Sequence, residues 1–174
     1  MEVRIEPKII QDGHSIGMPS PFYGINVEYH NRGVLAADGL ANLYSIIPVK
    51  GEFSEDKEKR LVVITQDTIL NDPKWPSLLE AARGVEYDAS DTKTGFFTIP
   101  NSNNDPLFQT AESYFKSDDP SKRIYVIATL KYKDQSLTSR VRIVTESCVY
   151  FLGNDIAPMH ICGRNRTFLE EVSK

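Results

Sequence analysis

The chain has 174 residues, 40% of them hydrophobic and 25% charged, with a formal net charge of −4. That length fits one ordinary domain with room for an insert, and a compact fold of this size buries about 70% of its unfolded surface without metal or disulfide staples. The composition excludes disorder, a collagen-like repeat and a cysteine framework, and the negative balance disfavours bulk attraction to nucleic acid or an anionic membrane.

No apolar run approaches the ~20 residues that cross a bilayer. The densest runs, residues 61–64 and 124–130, are strand-sized. The first five residues lack the basic and then apolar pattern of a signal peptide. Two locations stay open: cytosolic, or extracytoplasmic with a membrane anchor in an N-terminal segment outside this chain.

In chain order, residues 2–10 alternate loosely and predict an opening strand. Residues 11–21 carry Gly13, Gly17, Pro19 and Pro21 and read as a loop. Ile25, Val27 and Tyr29 then alternate with Asn26, Glu28 and His30, which predicts a half-buried strand with one wet face. Asn31-Arg32-Gly33 turns the chain, because Asn and Gly tolerate positive φ. Residues 40–49 are apolar on both faces and are expected as a central strand.

Residues 51–60 mix charges of both signs at high density and read as a solvated loop. Residues 61–65 read as a short buried strand. A helix follows, with Asp72 as cap, Pro73 and Pro76 in or before the first turn, and a stripe of Leu78, Leu79, Ala81 and Ala82. Gly84 ends it. Trp75, the sole Trp, reads as a lid over one end of the core.

Residues 94–99 predict a strand closed by Pro100, and residues 101–106 a loop. Asp105-Pro106 can start a second short helix running through Phe115. Ile124, Val126, Ala128, Leu130 and Tyr132 keep one phase of a strand. Its other face runs from Tyr125, Ile127 and Thr129 to a wet rim at Lys131 and Lys133. After a turn at residues 133–136, Val141, Ile143, Thr145, Val149 and Phe151 mark the returning strand. Residues 157–162 form the last strand, and residues 167–174 trail out with helical character.

Short strands separated by turn signals, without the strand–helix alternation of a parallel sheet, predict a single mainly β domain over residues 1–174. The expected architecture is an antiparallel immunoglobulin-like β-sandwich, with residues 51–85 as an insert carrying one or two short helices. Aromatic residues come in adjacent pairs, Phe22-Tyr23, Phe96-Phe97, Tyr114-Phe115 and Tyr150-Phe151. On a strand each pair sends one ring to each face. The outward rings are covered by the inserted helices or form a ligand surface.

Cys148 and Cys162 flank Gly153-Asn154-Asp155, a turn signal. A hairpin centred near residue 155 places position 148 opposite position 162, within disulfide reach. One reading is a disulfide and therefore an oxidising compartment; the other is two reduced thiols buried as small hydrophobes. Strict alternation puts Cys148 on a face with Arg140, Arg142 and Glu146, so a bulge is expected to turn it inward. His160 shares a face with Cys162, and these two with Cys148 offer three zinc ligands, but a fourth is missing and no C-x₂-C spacing occurs.

No nucleophile elbow, P-loop, dinucleotide fingerprint or EF-hand is present. His14 sits in a Gly/Ser loop, and His30 at a strand end reads as solvated. Asp118-Asp119 beside Pro120 reads as a turn. Asn165-Arg166-Thr167 matches a glycosylation acceptor, a triplet frequent by chance.

Three pieces carry a resemblance. These are residues 26–33 with Ala36-Ala37, the strand ending in Tyr132-Lys133-Asp134, and the closing hairpin from Cys148 to Cys162-Gly163-Arg164-Asn165. Together they resemble the extracytoplasmic β-sandwich domain of uncharacterised bacterial membrane-anchored proteins, in which a sandwich follows one or two membrane helices. The turn after Asp134 lacks that group's glycine, and residues 51–85 have no counterpart in it. The resemblance implies a location and a shape, and no catalytic residue.

The expected function is a non-enzymatic extracytoplasmic binding or interaction module of a membrane-tethered bacterial protein. It would recognise a protein or small ligand through strand edges and loops, without a cofactor and without nucleic acid. Membrane contact would come only through a segment outside this chain. The alternatives are a metal-dependent or hydrolytic enzyme using His160 and the cysteines, and a cytosolic scaffold domain.

Overall fold

The computed structural model describes residues 2–10, 22–31, 35–52, 54–88, 91–99, 110, 113–114, 117, 119, 121–134, 140–152, 155–162 and 165–172. The chain is mainly antiparallel β-sheet with two helices. The strands are β1 (Glu2–Ile10), β2 (Phe22–His30), β3 (Ala37–Lys50), β4 (Glu86–Tyr87), β5 (Thr92–Ile99), β6 (Lys122–Asp134), β7 (Val141–Leu152), β8 (Asp155–Ile161) and β9 (Arg166–Glu171). The helices, α1 (Glu55–Leu70) and α2 (Trp75–Ala81), lie between β3 and β4. The loop expected over residues 11–21, that over residues 101–106, most of the turns and most of the second helix expected before Phe115 fall outside the described residues.

Strands β1, β2 and β5 form one sheet in that order, and β4-β3-β6-β7-β8 form a second, with β9 also paired to β7. Because β6 occupies one edge of β7, β8 and β9 lie end to end along the other. β8 pairs from Val149 to Leu152 and β9 from Val141 to Glu146.

Period-two patterning assigns the faces of the larger sheet. Val126, Ala128, Leu130, Tyr132, Val149 and Phe151 cluster on one face together with Tyr29 of β2. Tyr125, Ile127, Cys148 and Cys162 lie on the opposite face, packed against Val62 and Ile69 of α1 and Trp75 of α2. Burial of each such large apolar side chain contributes roughly 1.5–3 kcal/mol. Residues 124–132 are buried on both faces.

Three expectations are corrected. Residues 55–70 are one helix, not a charged loop followed by a strand. The Ser54 side chain accepts a hydrogen bond from the Lys57 N–H, acids fill the first turn, and Glu55 pairs with Lys59 one turn on. Val62, Gln66 and Ile69 form its buried stripe. The region beginning at residue 167 belongs to strand β9 rather than to a helical tail.

Strand β3 lies between β4 and β6 in the strand order, as expected of a central strand, but its second neighbour is short. Beyond β6 its only neighbour among the described residues is the two-residue β4, at Ala37 and Asp38. Pro48, which has no N–H to give a second neighbour, fits this near-edge position. Finally, the β6–β7 ladder runs without a register shift from Arg123↔Leu152 to Tyr132↔Ile143, so Cys148 faces inward without a bulge. The face it shares with Glu146 is itself buried under the helices.

Helix α2 begins near its predicted position. Asp72 caps the turn before it by accepting from the Lys74 N–H (2.8 Å), and Pro76 occupies its first turn. Gly84 follows the helix at φ +74°, a conformation that favours glycine.

Candidate functional site

The helix-covered face of the larger sheet carries charge as well as apolar residues. Lys131 on β6 is only 4% exposed. Its Nζ donates to Glu170 Oε1 of β9 at 2.6 Å and sits 4.8 Å from the centre of the Trp75 ring. Trp75 is enclosed in turn, and its indole N–H donates to the Ile69 carbonyl at 2.6 Å. The ion pair and the cation–π contact together offset the desolvation of the ammonium. The wet rim expected at Lys131 therefore begins one alternation later, at Lys133.

One step along the sheet, Glu146 is fully enclosed and accepts a hydrogen bond from Arg166 Nε. Arg166 lies over the Phe168 ring, and Glu146 holds the guanidinium above its ordinary pKa. Thr129 faces Glu146 across the β6–β7 ladder. Among the described residues Thr129 Oγ1 and Glu146 Oε1 are buried without hydrogen-bond partners.

Beyond these pairs the surface opens into a cleft of about 520 Å³ between α2 and the ends of β3, β6, β7 and β9. Its walls carry Asp38, Glu80, Arg83, Lys133, Arg142 and Glu171, with Lys131 and Glu170 behind them. Arg83 pairs with Glu80 on α2 at 2.7 Å. Asp38 lies opposite Lys133 in the β3–β6 register, and Arg142 lies opposite Glu170 in the β7–β9 register.

The cysteines lie at the far end of the same face. Cys148 and Cys162 are joined in a disulfide with Cα atoms 5.2 Å apart, and the Cys162 N–H donates to the Cys148 carbonyl. The step from β8 to β9 leaves the Cys148 N–H without a strand partner, and Asn165 Oδ1 accepts it at 2.7 Å. The bond leaves neither sulfur as a thiolate, so the three-ligand zinc arrangement with His160 is not formed. Among the described residues no three metal-ligating side chains gather.

His160 instead stacks on Tyr150, its cross-strand partner, with ring centres 4.8 Å apart. Arg123 also lies over the Tyr150 ring, and Arg123 and the Tyr125 hydroxyl are both bonded to Glu58 of α1. Burial, reinforced by the Glu58 charge and opposed by Arg123, pushes the Tyr125 phenol up to about 12. Tyr150 is thus the ring of its pair that the inserted helices cover, and Phe151 is buried on the opposite face. His30 bridges strands, with Nδ1 bonded to Thr92 Oγ1 and Nε2 to Glu28. His14 lies outside the described residues.

The charged residues of the cleft carry no motif. Their signal in the sequence is phase alone: Lys131 and Lys133 continue the period that begins with Tyr125 and Ile127. Together the fold and the site define a mainly antiparallel β protein with a helix pair over one sheet face and a charged cleft beside the helices. Compared with known proteins, the chain matches no family model, no curated protein and no solved structure.

Proposed function

We propose that the chain is a non-enzymatic extracytoplasmic binding module of a membrane-tethered bacterial protein. The Cys148–Cys162 disulfide is the observation that carries this reading. Thiols of cytosolic proteins are kept reduced, whereas structural disulfides persist in oxidising compartments. The tether and the bacterial origin rest on the resemblance of residues 26–33, 125–134 and 148–165.

An immunoglobulin-like sandwich is part of the same proposal. The contact of Tyr29 with the face of the larger sheet supports two facing layers, and α1 and α2 then form the helical insert on the outside. Binding is favoured over catalysis by the way the cleft's innermost charged groups are committed to each other. Lys131 is held by Glu170 and Trp75 and is not free to move protons.

The test is a thiol count on protein taken from its native cells, alkylated at lysis and denatured without reductant. No alkylated cysteine is expected. Alkylation of both residues in every chain would overturn the extracytoplasmic reading.

A further inference from the structure

We propose that the cleft beside α2 binds an oxyanion, a carboxylate or a phosphate, on Lys133 and Arg142. The proposal concerns the cleft alone and is independent of the compartment. The β6–β7 ladder ends at Tyr132↔Ile143, and Lys133 and Arg142 are the next residues along the two strands. Both are half-buried and both line the cleft, and like charges on neighbouring strands repel.

Each cation has an acid as its other cross-strand neighbour, yet neither forms an ion pair with it. Glu170, opposite Arg142, gives its carboxylate to Lys131 at 2.6 Å. Asp38, opposite Lys133, keeps Oδ1 buried without a hydrogen-bond partner. Among the described residues no ion pair engages Lys133 or Arg142. The cleft, whose walls also carry the acids Asp38, Glu80 and Glu171, therefore presents two neighbouring cations without ion-pair partners among the described residues, in a cavity within the size range of small-molecule sites.

A guanidinium beside an ammonium matches an oxyanion. The planar fork of Arg142 can engage two oxygens while Lys133 supplies a point charge. The Lys131–Glu170 pair behind them fixes the floor and contributes no net charge. An anion seated there relieves the repulsion between Lys133 and Arg142, so occupancy stabilises the fold as well as filling the cleft.

The experiment is a backbone amide NMR titration of the full chain, with sodium phosphate in one arm and sodium acetate in the other, at constant ionic strength. Saturable shifts confined to the ends of β6 and β7 and to α2 are expected in at least one arm, and the stronger arm names the oxyanion. The double variant K133A/R142A should bind at least about tenfold more weakly, while K57A, which removes an exposed cation of α1, should bind as the parent does. Removing the two cations should also leave the melting temperature unchanged or raised. Absence of saturable shifts in both arms would overturn the proposal. So would shifts undiminished in the double variant, or a clear fall in that variant's melting temperature.

Discussion

Glu146 has no solvent-exposed side-chain surface, whereas Arg166, bonded to it, is 35% exposed. Removing either member breaks the same contact with unequal effect. Arg166→Ala leaves an enclosed carboxylate without a counter-charge and should cost about 3–5 kcal/mol. Glu146→Gln keeps an acceptor for the Arg166 Nε and removes the buried charge, so it should cost about 1 kcal/mol. Urea denaturation of the two variants measures this asymmetry, and equal losses would contradict it. Tyr125 gives a second expectation at this scale. Its phenol is raised from 10.0 to about 12, so the folded chain holds a proton that the unfolded chain has already released. The stabilisation is fully present below pH 10 and is lost as pH rises through about 12. Denaturant melts across that window should show falling stability, together with late appearance of phenolate absorbance.

Helix α1 shows what a local reading can miss. Leu61-Val62-Val63-Ile64 is a contiguous, largely β-branched run that reads as a strand in isolation. The helix becomes legible only when Ser54, the acids of the first turn and the spacing of Val62, Gln66 and Ile69 are taken together. Gln66 breaks the apolar stripe with a polar side chain that is nevertheless fully buried, and this hides the 3.6-residue period. The two assignments predict different mutational patterns. On a strand, positions 62 and 64 share a face and respond alike. On α1, Val62 is 1% exposed and Ile64 is 66% exposed. Val62→Ala should therefore cost about 2 kcal/mol, and Ile64→Ala should stay within about 0.5 kcal/mol. Thermal melts of the two variants distinguish the alternatives. Helix α2 was easier to read because Asp72, Pro76 and Gly84 punctuate it locally.

At the scale of the whole molecule, what was legible is what is short-range. Alternation located β1, β2, β5, β6 and β7, and the turn signal at residues 153–155 placed Cys148 opposite Cys162. Strand β9 and the cleft escaped because most of their inward positions are charged, and the charges that satisfy them lie far away in sequence. Arg166 answers Glu146 from 20 residues downstream, and Glu170 answers Lys131 from 39 residues downstream. Period-two reading assigns such residues to solvent, and only the assembled sheet shows them buried.

That arrangement has a consequence for the order of synthesis. While the ribosome is still making β7, the nascent polypeptide already contains Lys131 and Glu146 but neither counter-ion. The helix-side layer is therefore expected to close over them only once β9 has emerged from the exit tunnel. A chain arrested before residue 166 should thus remain sensitive to limited proteolysis within residues 54–82, and release of the complete polypeptide should protect that segment. Protection already present in the arrested chain would show that folding does not wait for the final strand.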